Sequence, residues 1–311
     1  MTRVLITCRQ MQNCIAMFRH RFDERSIEVD MPLIVQQPTE DELIAIIGLY
    51  DGMIAGDDPL TKRVLAHADR MRVISKWGVG VDGIDLDDAR SRGIAVMNTP
   101  GVFGDDVADV AMGYVVMLAR QLHRIHESVE EGGWLKHEGR VLSGSTLGIA
   151  GLGTIGRAIS RRARGFGLKL IAHDVAPGAF DNPEASEVSP VSLDDLFRLS
   201  DFLVLSAPLT AETMHMVNSR TLGLMKRGSY LINVARGPLV DEHSLAAALQ
   251  ARQIAAAALD VFEEEPLPSD SRLREFTQCV FGTHNASNTT EGVLRASAQA
   301  VDNLFSVLDD L

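Results

Sequence analysis

The sequence predicts an α/β protein made of two doubly wound parallel sheets. Three observations carry this expectation. Short β-branched runs alternate with longer helical patterns over the first ~100 residues. A second series of the same kind starts afresh at Thr146. Between them lie the turn signal "NTPG" at 98–101 and a long helical pattern. Strand–helix–strand repetition implies parallel pairing, because each crossover helix returns the chain to the edge it left.

The elements follow in order. "VLIT" at Val4–Thr7, "GMIAG" around Met53–Ala55, "RVISK" around Val73–Ser75 and "GIAVMN" at 93–98 read as strands. Glu40–Leu49 and Lys62–His67 read as helices between them. From about Asp105 to Glu130 the pattern is one uninterrupted helix, suited to bridging two domains and ended by "EEGGW" at 130–134. "TLGIA", "LKLIAHD", "DFLVLSAPL", "SYLINVARG" and "IAAAALDVF" are the strands of the second series. The closing segment, Asn288–Leu311, reads as a helix with an apolar stripe at Val293, Leu294, Ala298, Val301, Leu304, Phe305 and Leu308. Its return to the first domain would make that domain discontinuous: 1–98 plus 289–311, with 99–288 as the second domain.

Composition narrows the function. Lys and Arg number 30 against 42 Asp and Glu, a net charge of −12. With no basic stripe, a nucleic-acid surface is not expected. The three cysteines, Cys8, Cys14 and Cys279, have no metal-binding spacing and suit a reducing compartment. The N-terminus lacks a long apolar signal region, and no apolar run approaches 18 residues. A cytoplasmic protein with neither metal nor membrane partner is expected.

The most informative motif is Gly151-x-Gly153-x-x-Gly156. It follows a strand and opens a helix, and Asp174 lies 18 residues beyond its last glycine (174 − 156). Gly151 permits the tight turn, Gly153 lets a pyrophosphate approach the backbone, and Gly156 lets helix and strand pack. The helix N-terminus offers N–H groups to the phosphates. Asp174 suits the two ribose hydroxyls and would repel a 2′-phosphate, so NAD is expected over NADP.

A proton must accompany any hydride, and histidine has the intrinsic pKa for moving it. His20, His67, His123, His126, His137 and His243 fall in helices or polar connections and read as surface residues. His173 is expected to point away from its neighbour Asp174, and His215 lies in a polar helix approach. His284, in "VFGTHNASNTT", follows an apolar strand end, where ligands of open α/β sheets bind. Arg236 in "NVARG" occupies a similar place and reads either as a surface ion pair or as a fork for a carboxylate. "LDVFEEEP" is a third strand end; alone, its three glutamates read as a solvated turn.

Taken together, "GVGVDGID" (78–85), "NTPGVFGDDVADVAMG" (98–113), "GLGTIG" (151–156), "SAPLT" (206–210), "LINVARGPLVDEHSL" (231–245), "LDVFEEEP" (259–266) and "TH" (283–284) resemble the D-isomer-specific 2-hydroxyacid dehydrogenase family over nearly the whole chain. The nearest likeness is the phosphoglycerate dehydrogenase-like branch. The resemblance implies Rossmann-like and flavodoxin-like domains, the first substrate-binding and the second NAD-binding, with an active site in the cleft between them. It implies NAD-dependent hydride transfer at C2 of a D-2-hydroxy acid or 2-keto acid. His284 would be the acid/base, Glu265 its orienting partner, and Arg236 the holder of the substrate carboxylate. Gly151, Gly153, Thr154, Ile155, Gly156, Asp174, Ala207, Pro208, Thr213, Val234, Ala235 and Asp260 would line the cofactor. Lys76, Val79, Gly80 and Arg236 would meet the substrate.

On this reading Glu263 and Glu264 stay solvated turn residues. Thr283, Ser206 and Asp109 depart from common family residues (Pro, His and Glu) without touching the three catalytic positions. Lys76 matches one basic position of phosphoglycerate users, but "MIAGDDPL" places Asp57 and Asp58 where a phosphate would be repelled. Trp77 reads as a pocket-mouth or a packing residue. A homodimer is implied, with the segment near 120–145, including Trp134, as the arm. Alternatives are formate or phosphite oxidation, and an NADH-sensing corepressor-like protein of the same fold.

Overall fold

A computed structural model describes residues 1–33 and 37–309. The chain divides into two compact units: Met1–Phe103 with Thr289–Leu311, and Gly104–Asn288.

The first unit holds a five-stranded sheet of β1 (Arg3–Ile6), β2 (Glu28–Asp30), β3 (Gly52–Ala55), β4 (Val73–Lys76) and β5 (Ala95–Met97). The order is β2-β1-β3-β4-β5 and all pairs are parallel. β3 and β4 are buried along their whole length, as expected where helices cover both faces of a parallel sheet. Helix Glu40–Ile46 is started by a capping box in which Thr39 and Glu42 satisfy each other's backbone N–H groups.

The closing helix, Thr290–Leu308, packs on this sheet. Val301, Leu304, Phe305 and Leu308 are buried as the apolar pattern predicts. Nearer its N-terminus the stripe is rotated: Ala296, Ser297 and Ala300 are buried, while Val293, Leu294 and Ala298 are only half-buried. Small residues permit close approach there. Ser75 Oγ donates to the Ala300 carbonyl at 2.8 Å, and Trp77 Nε1 donates to Ser297 Oγ at 3.0 Å. Trp77 is therefore a core residue, packed 5.3 Å from Phe103 between ring centroids, and not a pocket-mouth residue. Residues 310 and 311, included in the expected helix, lie outside the described residues.

The second unit holds β6 (Thr146–Ala150), β7 (Lys169–His173), β8 (Ser189–Pro190), β9 (Phe202–Leu205), β10 (Ser229–Asn233), β11 (Ile254–Leu259) and β12 (Val280–Phe281). Its order is β12-β11-β10-β9-β6-β7-β8, again with every pair parallel. The chain winds one way from β6 through β7 to β8, then crosses to β9 and winds the other way. The topological switch point falls between β6 and β9, where open α/β sheets bind ligands at their carboxyl edge.

The expected single helix over 105–130 is two helices, Gly104–Arg120 and Leu122–Glu130. They break at Gln121, a buried residue in the left-handed region (φ 52°) whose amide donates to the Leu118 carbonyl. The edge strands β2 and β8 also escape the sequence reading, because two or three residues show no period. Among the described residues, no helix is long and apolar enough to cross a membrane.

The carboxyl edge of the first sheet carries a buried acid. Asp58 is 2% exposed and accepts from Thr7 Oγ1 at 2.6 Å. Burial pushes its carboxyl up to about 6, opposed by the Thr7 hydrogen bond and the Lys76 charge. Folding thus favours the protonated acid. The contribution is full below the ordinary Asp range, near 4, and is lost as pH rises through 6. Asp58→Asn, which keeps the shape without the charge, should raise stability by ~1–3 kcal/mol at pH 8. The gain should shrink toward zero near pH 4 in denaturant titrations; a gain equal at both pH values would contradict the assignment.

Candidate active site

The carboxyl edge of the second sheet gathers the expected site residues of that unit. After β6 the chain turns at Gly151 (φ 91°), where a side chain would meet the Ala207 backbone nitrogen at 2.7 Å. Glycine thereby lets the loop after β6 press against the loop after β9, across the switch point. A Cβ on Gly156 would collide with the Gly151 carbonyl, so this glycine permits the helix to pack over the turn. A Cβ on Gly153 would meet open space. Helix Thr154–Arg164 begins there, and its N-cap, Gly153, provides no side-chain hydrogen bond. Thr154 is exposed and Ile155 half-buried at this uncapped turn. The turn has room and donors for a pyrophosphate.

Asp174 follows β7 directly. Its Oδ2 accepts from Leu152 N at 2.6 Å and its Oδ1 from Ala176 N at 2.7 Å. Two amide donors therefore hold the carboxylate beside the glycine turn. Ser206 Oγ donates to the Gly151 carbonyl at 2.8 Å. In the loop after β9, Thr213 Oγ1 donates to the Pro208 carbonyl at 2.7 Å and accepts from Thr210 N at 2.8 Å. These residues can hold a dinucleotide: a glycine cradle, an uncapped helix start and an oriented acid.

Three further loops leave β10, β11 and β12. After β10, Val234 and Ala235 are buried and Arg236 is half-buried. Asn233 shapes this turn by accepting from Ala235 N and donating to the Arg236 carbonyl. Gly237 follows because a Cβ there would collide with the Phe262 carbonyl, so the loop bearing Arg236 lies directly against the loop after β11.

His284, after β12, places Nδ1 2.8 Å from Glu265 Oε2. The other Glu265 oxygen accepts from Phe262 N at 3.0 Å. Glu265 is thus fixed by its own loop at one oxygen and meets His284 with the other. Both side chains are about one-third exposed, 33% and 35%, which leaves them accessible to a small substrate. The His284 backbone lies in the left-handed region (φ 53°), a conformation that persists in a non-glycine residue where its surroundings impose it. What imposes it is Asp260. Its carbonyl accepts from His284 N at 2.6 Å, and its buried carboxylate accepts from Ala286 N at 2.8 Å and from Tyr114 Oη at 3.2 Å. A side chain on Gly282 would collide with that carboxylate and with the Tyr114 hydroxyl. Burial first, then the Asp260 charge and hydrogen bond, push the Tyr114 phenol upward, so it stays a donor at neutral pH. Asp260 thus shapes the His284 turn.

Further residues named from the sequence have partners in the structure. Glu263 has a partner, His215, whose Nε2 lies 2.6 Å from Glu263 Oε1. His123, read as a surface residue, is half-buried, and burial lowers its pKa. Lys76 in the first unit donates to Asp57 Oδ1 at 2.8 Å and to the Trp77 carbonyl at 3.2 Å. Val79 and Gly80 follow on a turn whose Val79 carbonyl accepts from Asn98. Tyr114, Gly237, Gly282 and His215 were not singled out from sequence; the glycines immediately after Arg236 and before "TH" were the available signals.

Comparison with known proteins gives the family. Residues 112–286 match the model of the D-isomer specific 2-hydroxyacid dehydrogenase NAD binding domain. A hydroxypyruvate reductase of Thermotoga maritima is 37% identical over 275 residues, 86% of this chain and 88% of the relative. A glyoxylate reductase of Thermofilum pendens is 37% identical over 278 residues, covering 87% and 82%. The crystal structure of a D-lactate dehydrogenase from Aquifex aeolicus, complexed with NAD and lactic acid, matches with a TM-score of 0.87 at 26% identity over 99% of this chain and 96% of the other.

Gly237→Ala offers a test of the loop packing. Forcing a methyl against the Phe262 carbonyl should cost ~1–3 kcal/mol and displace both loops. Melting temperature and turnover are both expected to fall, and an unchanged pair of values would show that the loops do not depend on this contact.

Proposed function

This chain belongs to the D-isomer-specific 2-hydroxyacid dehydrogenase family, an NAD-dependent enzyme family, and we propose that it reduces a small unphosphorylated 2-keto acid through the Arg236–Glu265–His284 set. The observation that carries this reading is the 2.8 Å contact between His284 Nδ1 and Glu265 Oε2, with Arg236 on the adjoining loop. When bound, the nicotinamide cofactor supplies the hydride for reduction and takes it up in oxidation.

The residues of the chain handle the proton and the charge. Glu265 engages Nδ1, which sets the ring and leaves proton exchange to Nε2 at the substrate oxygen. In reduction the carbonyl carbon gains a hydride while its oxygen takes the proton from His284, giving the hydroxyl; in oxidation His284 receives that proton back. The Glu265 carboxylate stabilises the imidazolium that donates. Arg236 presents a planar fork suited to the substrate carboxylate, and its charge stabilises negative charge developing on the carbonyl oxygen. The ion pair between Lys76 and Asp57 weighs against a phosphorylated substrate tail, because the lysine charge is already balanced. Hydroxypyruvate and glyoxylate, in the names of the two relatives above, fit this class. Exposed Trp134 and Val141 in the 131–145 segment support a homodimer.

A panel of 2-keto acids read by NADH absorbance, with hydroxypyruvate, glyoxylate, pyruvate and phosphohydroxypyruvate, tests the reading. The unphosphorylated acids should turn over faster. No turnover on any of them would favour the NADH-sensing binding role instead.

His284→Ala should lower turnover at least ~100-fold with little change in cofactor affinity. In Glu265→Gln the His-linked limb of the pH–rate profile should move to lower pH, since the imidazolium loses its anionic partner. A limb that stays in place would remove Glu265 from this role.

The Asp174 carboxylate supports NAD over NADP. A kcat/KM ratio of about tenfold or more in favour of NADH is expected. Equal use of NADPH would count against Asp174 as the discriminating group.

A further inference from the structure

The glutamate run contains two His–Glu pairs, not one. Among the described residues, five non-glycine residues have positive φ, and two of them are His284 and His215. Each binds a glutamate of the same short loop: His284 holds Glu265, and His215 Nε2 lies 2.6 Å from Glu263 Oε1. Two left-handed histidines bound to one loop call for a reason beyond surface chance.

His215 is placed where three functional loops meet. It ends the segment that follows β9 and contains Ala207, Pro208 and Thr213. Its backbone N–H donates to the Pro238 carbonyl at 2.8 Å, two residues beyond Arg236. Val217 then forms a parallel bridge with Val240. Its ring reaches the third loop at Glu263, two residues before Glu265. Glu263 is tied down further, because its N–H donates to Glu242 Oε1 at 2.8 Å.

Acidic groups surround the ring. Glu263, Glu264, Glu265, Asp241 and Glu242 crowd this corner. Burial and then repulsion from the three glutamates hold the Glu242 carboxyl above its usual range. His215 also helps hold Asp241 below the usual carboxylate range, after the Ser244 hydrogen bonds. Without His215, Glu263 would lose its ring hydrogen-bond partner beside Glu242.

We propose that His215 is a positioning residue for the reaction: by clamping Glu263 it holds the loop that presents Glu265 to His284, and it ties that loop to the one bearing Arg236. This rests on the assignment of Glu265 and His284 above. The His215 and Glu263 side chains are 46% and 35% exposed, so the pair adds little to global stability and its loss should be felt in the chemistry.

The test compares His215→Met, which has no ring N–H, with His215→Gln, whose amide can donate from the place of Nε2. Turnover of hydroxypyruvate or glyoxylate, NADH affinity by fluorescence and the pH–rate profile are measured for each. Met should lower kcat by about tenfold, leave NADH affinity within about twofold, and move the His-linked limb to lower pH. Gln should recover most of the lost turnover and return the limb.

Glu263→Gln should reproduce the Met phenotype, and the double variant should be no worse than either single change, as expected of one unit. This arm stands alone if His215→Met fails to fold. A His215→Met enzyme with normal kcat and pH limb would overturn the clamp, as would Met and Gln variants equally impaired with an unmoved limb, or additive effects in the double variant. His284→Ala, run alongside, separates the two ideas: retained turnover overturns the acid/base assignment and the clamp together, whereas lost turnover beside a normal His215→Met overturns the clamp alone.

Discussion

A buried carboxylate sets the shape of the candidate site. Asp260 sits just past β11 with almost no solvent contact, and it accepts hydrogen bonds through its side chain from Tyr114 and Ala286 and through its carbonyl from His284. Burying the polar oxygens of an acid is costly unless donors replace their water, and each lost donor there costs on the order of 1–3 kcal/mol. The turn that places His284 in a left-handed conformation supplies two of those donors, His284 N and Ala286 N, and Tyr114 on helix Gly104–Arg120 supplies the third. Glu265, five residues beyond Asp260, then meets the histidine from the same loop. A solvation requirement at one acid therefore fixes the direction of another residue's imidazole.

Close backbone approach is the second constraint. Gly151, Gly237 and Gly282 each occupy a place where a methyl would strike a neighbouring loop. Glycine adds conformational freedom to the unfolded chain and gives up that freedom on folding. Three such positions at one sheet edge indicate that compact loop packing there outweighs the entropic cost. Farther from the edge, ordinary surface chemistry ties helices together. Arg162 pairs with Asp105 and Asp109, joining helix Thr154–Arg164 to helix Gly104–Arg120, with a contribution that salt can screen.

Much of this was legible in the sequence, for identifiable physical reasons. Long buried parallel strands such as "TLGIA" and "SYLIN" read as apolar runs because both faces are covered. The glycine motif was legible because strand, turn, helix and acid must occur in that order to hold a pyrophosphate. Arg236, Glu265 and His284 were legible singly as strand ends, and as a set only through resemblance. Tyr114 was not, because its partner Asp260 is 146 residues away and a tyrosine on a helix has no local sign of that bond. His215 was set aside for the same reason, since its ring partner lies 48 residues on. The break at Gln121 was hidden because no glycine or proline marks it.

The two amide hydrogen bonds of Asp174 bear on how this protein could evolve. One of them comes from Leu152, inside the glycine turn, so this acid also braces the loop that would receive phosphates. A mutation that removes the charge to admit a bulkier, more anionic ribose would also take an acceptor from that loop. A lineage changing cofactor would need a replacement brace before or together with the loss of the acid. Replacing Asp174 would therefore alter the glycine turn as well as the charge beside it.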